Sequence, residues 1–228
     1  IYVSGEEVTE QLYTFEDKGG RRLSLRPEMT PSLARMVMAQ KKALAFPIKW
    51  FSIPQCWRYE RMTLGRRREH YQWNMDIWGI AGVEAEAELL AAAVSAFKDM
   101  KLSSADVGIK INSRKILQAI VELAKVPTDK FAATCVLIDK LEKVPLEALL
   151  PQFEAIGVSK QQVNEIVTNI ALKDVDAYKA LLGADCDGVK DMELLFSLAT
   201  AYGYADWLVF DPSVVRGLAY YTGECIVK

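Results

Sequence analysis

Polar Gln72, Asn74 and Asp76 alternate strictly with apolar Trp73, Met75 and Ile77. Alternation of this kind places the two sets on opposite faces of a strand. Upstream, Arg58 and Glu60 fall on one face and Trp57 and Tyr59 on the other. Between the two runs lies MTLGRRRE, with a turn-forming Gly65 and three consecutive arginines. The pattern predicts a hairpin over residues 53–79. One face is greasy and buried, and the other carries Arg58, Glu60, Gln72 and Asp76.

Elsewhere the pattern is coarser. Residues 2–15 are mixed and commit to nothing. Glu16-Asp17-Lys18-Gly19-Gly20 reads as a turn, and residues 22–26 as a short strand ended by Pro27. Thr30 followed by Pro31 predicts a helix start, with Thr30 as the cap and Leu33, Ala34, Val37 and Met38 as the apolar stripe. Residues 83–100 are alanine-rich and helical, with Glu84, Glu86 and Glu88 near the start. Residues 106–112 read as a strand. The texture changes at Ser113. Helices are expected over 114–124, 129–142, 146–156, 160–170, 175–182 and 189–202, separated by Pro127, Pro145, Gly157, Gly183 and Gly203. Pro145 suits a first turn and Ser159 a cap. Strand character returns over 206–210 and 214–221. Strands, then helices, then strands argue for an α+β fold: an antiparallel sheet flanked by helices and interrupted by an all-helical insert. The expected domains are 1–112, 113–205 and 206–228, the last returning to the first.

Composition narrows the function classes. The 228 residues are 51% hydrophobic and 25% charged with a net charge of −2, so only a local basic patch could serve nucleic acid. Four cysteines, Cys56, Cys135, Cys186 and Cys225, form no CxxC pair and read as reduced packing thiols of a cytoplasmic protein. A single histidine, His70, argues against a His-built metal cluster or a Ser-His-Asp triad. No apolar run reaches the ~20 residues of a membrane helix. No signal peptide is evident, and no GxxxxGK loop occurs.

A charged hairpin face is most often the solvated side of an antiparallel sheet. Here the opposite face is apolar enough for a core, which leaves the polar face to line a cleft. That face also mixes guanidinium, carboxamide and carboxylate. Arginine forks suit phosphate oxygens, and carboxylates suit an ammonium or imidazole. A substrate with a phosphate at one end and an amine at the other fits.

The run WRYERMTLGRRREHYQWNMDIWG resembles motif 2 of the class II aminoacyl-tRNA synthetases, and among them the histidyl-tRNA synthetase family. LRPEMTPSLAR at residues 25–35 is similar to that family's Arg-Pro-Glu-x-Thr segment. VVRGLAYYTG at 214–223 is similar to its Arg-Gly-Leu-x-Tyr-Tyr signature, the most specific of the three. The resemblance implies a homodimeric ligase that uses ATP and Mg2+ to join histidine to tRNA(His), with the helical insert approaching the tRNA acceptor arm.

It also implies roles. Arg58 would meet the α-phosphate of ATP, and Arg66 and Arg68 the outer phosphates, with Arg67 pointing away. Glu60 would fix the adenine amino group or pair with Arg58. His70 stands where an aromatic stacks on adenine. Arg216 would contact both the amino-acid carboxylate and the α-phosphate, a role a metal plays in related enzymes. Glu28 and Thr30 would hold the histidine ammonium, with Gln72 bridging. Asp76, where the family usually has Glu, would accept from the imidazole through added reach from backbone or water. Tyr221 would meet the ring, and Tyr220 beside it would meet the ring or pack. No residue is assigned to a resident metal.

Two departures stand out. Ala219 replaces the usual Asp of the signature. After Gly223 the sequence reads Glu224-Cys225-Ile226-Val227-Lys228 instead of an apolar strand and a glycine-rich segment. Motifs 1 and 3 and the anticodon-binding domain do not occur. The expectation is a fragment, or a chain lacking segments at the Gly223–Glu224 junction; a start at Ile1 rather than Met fits it. The alternative is a non-catalytic synthetase-like regulatory or sensor subunit. The full charge set of Glu28, Arg58, Gln72, Arg216 and Tyr221 argues for the enzyme.

Overall fold

The computed structural model describes residues 10–141 and 144–214, and the backbone of residues 226–227. The chain divides into two compact units, residues 1–80 and 81–228.

The first unit is built from short antiparallel ladders. Strand β1 (Thr14–Glu16) pairs with β2 (Arg22–Ser24) around the expected turn. There Asp17 Oδ1 accepts from the backbone N–H of both Gly19 and Arg21 at 2.9 Å. Helix α1 (Thr30–Gln40) begins where Pro31 predicts it, but Thr30 is not its cap. Met29 occupies that position, and its carbonyl accepts from Ser32 and Leu33 N–H at 2.9 and 3.0 Å. Thr30 is therefore the first helical residue, and its hydroxyl caps nothing.

The expected single hairpin is two ladders. Strand β3 (Ile48–Ser52) pairs with β6 (Asn74–Trp78), and β4 (Gln55–Trp57) with β5 (Glu69–Tyr71). Pro54 causes the split. It has no N–H to give a ladder, so the chain breaks there, and its carbonyl takes the Gln72 N–H at 3.1 Å. At the hairpin tip Arg66 N–H bonds to Thr63 O, and Gly65 takes a φ of 85°, a backbone angle that glycine reaches without strain.

The greasy face is not buried as expected. Trp73 is 48% exposed and Tyr59 55%, while Met75 and Ile77 are half-buried. The apolar stripe of α1 is short. Leu33 and Val37 cover Ile48, Leu44 and Trp78, and nothing remains in that cluster to cover the hairpin.

The second unit opens with helix α2 (Glu84–Asp99) and strand β7 (Ile109–Asn112). Six helices follow: α3 (Arg114–Leu123), α4 (Phe131–Lys140), α5 (Leu146–Ala155), α6 (Lys160–Ile170), α7 (Val175–Leu182) and α8 (Asp187–Tyr202). A 3-10 turn at Thr128–Lys130 leads into α4. Pro145 precedes α5 as its cap rather than entering its first turn. Ser159 caps α6 as expected, in a reciprocal box with Gln162.

Strand β8 (Leu208–Phe210) and β9 (Ile226–Val227) flank β7 in the order β8-β7-β9. The β7–β9 pair is antiparallel, but β7–β8 is parallel, which corrects the expectation of an antiparallel sheet. The six helices form the crossover that a parallel pair requires. The rest of the strand expected over 214–221 lies outside the described residues beyond Val214.

One apolar cluster runs from Val83, which precedes α2, and Leu90 on α2 through Ile111, Ile120 and Phe153 to Phe210. Gly188 lets α8 approach α3 closely, since a Cβ there would sit 2.7 Å from Ile116 N.

Candidate functional site

The first unit gathers polar groups around one buried thiol. Cys56 is fully buried at the centre of β4. Its Sγ lies 3.4 Å from Gln72 Oε1 and donates to it. Burial pushes the thiol above its ordinary range; the guanidiniums of Arg26 and Arg58 pull it down, and the Glu28 carboxylate pushes it up. Arg26, Glu28, Arg58 and Gln72 therefore share one neighbourhood. Three of them were expected in the site. Arg26 and Cys56 were not, although Cys56 sits two residues from Arg58 and so shares its strand face.

The backbone explains how these groups meet. Trp57 N–H bonds to Arg26 O at 2.9 Å, and Arg26 Nε returns to Gln55 O at 2.9 Å. The segment carrying Glu28 thus runs along the outer edge of β4. Arg58 Nε donates to Pro27 O at 3.0 Å, which holds the guanidinium beside Glu28. A guanidinium has five N–H donors, so one bond anchors Arg58 and four donors remain for an anion.

Further out, Arg58 N–H bonds to Arg68 O at 2.9 Å, which extends the β4–β5 ladder. Arg68 Nε donates to Glu60 O at 3.1 Å, and its guanidinium lies 3.9 Å over the Tyr59 ring. That stacking fixes a long side chain on an apolar plate. Within the protein Glu60 pairs with the turn arginine Arg66 at 3.7 Å rather than with Arg58, the partner expected for it. Arg66 and Arg67 are exposed at the tip. His70 is half-buried, with its Nε2 3.4 Å from Gln72 Nε2. The Gln72 carboxamide therefore joins thiol and imidazole.

Asp76 lies on β6 opposite Trp50. It is half-buried and has no hydrogen-bond partner among the described residues, and burial pushes its carboxyl above the ordinary range. Glu28 is likewise half-buried without a described partner. Thr30 is exposed at the first position of α1. Arg216, Tyr220 and Tyr221, together with the Gly223–Glu224 junction, lie outside the described residues.

Chemically, the first unit offers three arginines for phosphate oxygens and two unpartnered carboxylates for a cation, with a carboxamide between. A cavity of about 720 Å³ in the second unit is lined by Lys173, Asp176, Glu193, Phe196, Val209 and Asp211, none of them an expected site residue. Among the described residues no helix is long and apolar enough to cross a membrane.

A family model described as histidyl-tRNA synthetase matches residues 2–226. The chain is 49% identical over 223 residues to the Arabidopsis thaliana chloroplastic/mitochondrial histidine–tRNA ligase, covering 98% of the chain and 46% of that protein. It is 38% identical over 233 residues to the histidine–tRNA ligase of Natronomonas pharaonis, covering 99% of the chain and 54% of that protein. The chain thus spans about half the length of these relatives. Its fold is similar to a solved ATP phosphoribosyltransferase regulatory subunit/histidyl-tRNA synthetase of Bacillus halodurans, with a TM-score of 0.80 at 19% identity over 100% of the chain and 59% of that structure. A histidyl-tRNA synthetase of a Nostoc species gives 0.78 at 20% identity, over 98% and 54%.

Proposed function

The chain belongs to the histidyl-tRNA synthetase family, and from that premise we propose that it is part of a ligase that activates histidine with ATP and transfers it to tRNA(His). One observation carries the reading: Glu28, Arg58 and Gln72 converge on Cys56 in the first unit. In that arrangement the histidine ammonium sits between Glu28 and Gln72, with Thr30 at the start of α1 completing the contact. Asp76 accepts from the imidazole, and its raised carboxyl gains a cationic or hydrogen-bonding partner on binding.

The histidine carboxylate attacks the α-phosphorus of ATP, and pyrophosphate leaves. Negative charge gathers on phosphate oxygens, so fixed donors lower the barrier more than a base would. Arg58, held by Pro27 O, faces the α-phosphate. Arg66 and Arg68 neutralise the outer phosphates, His70 stacks on adenine, and Glu60 fixes Arg66 or the adenine amino group. Arg216 supplies the second α-phosphate cation and meets the histidine carboxylate, with Tyr220 and Tyr221 at the ring.

Mg2+ enters as part of the MgATP substrate. The groups that would meet the phosphates are arginines. Residues 1–112 and 206–228 form the catalytic core, 113–205 the insert that meets the tRNA, and two copies make the working enzyme. The compartment is cytoplasmic, as the unpaired thiols of Cys56, Cys135 and Cys186 support; the Arabidopsis relative bears an organellar name.

Histidine-dependent ATP–pyrophosphate exchange by the full-length protein tests the reading. Exchange is expected, and Arg58→Ala or Arg216→Ala is expected to lower it on the order of 10²–10³-fold. A wild-type protein that binds ATP but shows no histidine-dependent exchange would be the non-catalytic subunit instead.

A further inference from the structure

One residue, Arg26, clasps the Pro27–Glu28 segment to β4. Backbone groups alternate between the two edges of a strand. Pro54 O and Arg58 N–H are bonded toward β5, at Gln72 and Arg68, so Gln55 and Trp57 present theirs on the outer edge. Arg26 takes one group from each. Its carbonyl accepts from Trp57 N–H, and its Nε donates to Gln55 O, both at 2.9 Å.

The side-chain bond stands where the main chain has none to offer. Pro27 follows Arg26 and has no N–H, so no ladder can continue along that edge, and the guanidinium supplies the donor instead. The acceptor is itself held in place. Gln55 Nε2 donates to Glu69 Oε1 on β5, and Gln55 stands opposite Tyr71 in the β4–β5 ladder. Pro27 is buried, and its carbonyl accepts from Arg58 Nε at 3.0 Å. The dependence therefore runs in one direction. Arg26 fixes the Pro27 carbonyl, and the Pro27 carbonyl orients Arg58.

We propose that Arg26 is a positioning residue that sets where the Arg58 guanidinium stands beside Glu28. Its catalytic consequence rests on the histidine-activating reading above. An arginine that must meet charge developing on a phosphate tolerates little displacement, since a misplacement near 1 Å costs on the order of 10²-fold in rate. Arg26 is exposed and one of its two bonds is a main-chain bond, so removing the side chain loosens the clasp without opening it, and the expected loss is a fraction of that figure.

The test uses the full-length protein and Arg26→Ala, with Arg26→Met, which keeps the stem and removes the donor, should the alanine variant not fold. Hydrogen-exchange mass spectrometry reads the clasp whether or not the protein activates histidine. The Trp57 amide, on peptides spanning residues 55–59, should exchange roughly fivefold faster, while β6 (Asn74–Trp78) keeps wild-type rates. An unchanged Trp57 amide in a folded variant overturns the anchoring. A double-mutant cycle in the pyrophosphate-exchange assay reads the consequence. Arg26→Ala alone should lower kcat on the order of tenfold. In an Arg58→Ala background it should lower kcat by less than about twofold, because the group it positions is gone. Equal losses in the two backgrounds, which a smaller folded fraction would also give, overturn the positioning role. If wild-type protein shows no histidine-dependent exchange, the functional reading fails, and the Trp57 amide alone decides the anchoring.

Discussion

The Cys56 thiol donates a hydrogen bond to the Gln72 carboxamide oxygen across 3.4 Å. That bond settles which end of Gln72 faces which neighbour. With Oε1 committed to the thiol, Nε2 is the end turned to His70, and it is a donor. Oε1 keeps a second lone pair, so the carboxamide can accept from the thiol and from an ammonium together while Nε2 donates toward a ring nitrogen. The thiol thus sets the polarity of a residue in the proposed histidine site.

Cys56→Val keeps the apolar volume and removes the donor. The carboxamide then keeps only its contact with His70 and samples both orientations. One neutral hydrogen bond is worth about 1 kcal/mol, so KM for histidine should rise roughly fivefold while the melting temperature moves little. Chemical labelling checks the premise. Cys56 is 0% exposed and its thiol is raised by burial, and Cys135 is raised to about 11 by the same cause. Iodoacetamide at pH 8 should label half-buried Cys186 well before either, as read by peptide mass mapping.

Asp76 gives a pH dependence of definite sign. Burial raises its folded pKa above the ordinary 3.8. The stabilising form is the protonated one, present below the unfolded value and lost as pH rises through the folded one. At neutral pH the wild type therefore carries a cost that Asp76→Asn does not. The variant should melt higher than wild type at pH 7 and no higher at pH 3. Histidine recognition should move the other way. Losing a charged acceptor costs about 1.5–3 kcal/mol, roughly ten- to a hundredfold in kcat/KM for histidine. Paired melting and exchange assays would expose a role in packing alone, for which both would improve together.

The helical half was legible to within about two residues at each helix end, because breakers such as Pro145, Gly157 and Gly183 stand between helices and the apolar stripes between them are regular. The hairpin was legible in its chemistry and less so in its pairing. Alternation from Gln72 to Ile77 says that these residues are extended but not which partner they face. Pro54 divides the partner strand, and β3 has no alternation of its own to announce it: Trp50 and Phe51 are consecutive and both exposed. Arg26 escaped notice for a similar reason. It enters the site through a backbone bond between Trp57 and its own carbonyl, a long-range contact with no local signature. The parallel β7–β8 pair follows from the length of the crossover between them, not from either strand's composition.

Ser159 offers a clean test of the helical half. Its hydroxyl accepts from Gln162 N–H while Gln162 Oε1 takes the Ser159 N–H at 2.9 Å. Ser159→Ala should cost about 1 kcal/mol. Gln162→Ala should cost more, because Gln162 Nε2 also ties α6 to Ala124 O and Lys125 O at 3.1 and 3.0 Å. Chemical denaturation of both variants measures the order, and an equal loss would mean the Ala124 and Lys125 bonds contribute nothing.

Asp211 makes the opposite pH prediction from Asp76. Burial alone would raise its carboxyl, but donors from Lys173, Ser213 and Lys110 outweigh that and hold it well below the ordinary range. Its stabilising form is the carboxylate, so the contribution is present above the unfolded value near 3.8 and is lost as pH falls. Wild-type stability should decline as the solution is acidified below that point, and Asp211→Asn should show a flatter profile. Both lysines keep about half their side chains in water. The cost of Asp211→Asn at pH 7 should therefore stay near 1–3 kcal/mol, below the loss expected when a fully buried pair is broken. Added salt should recover little of it, since the carboxylate is shielded from the ionic atmosphere. An acid profile identical in wild type and Asp211→Asn would place the charge balance of this corner elsewhere.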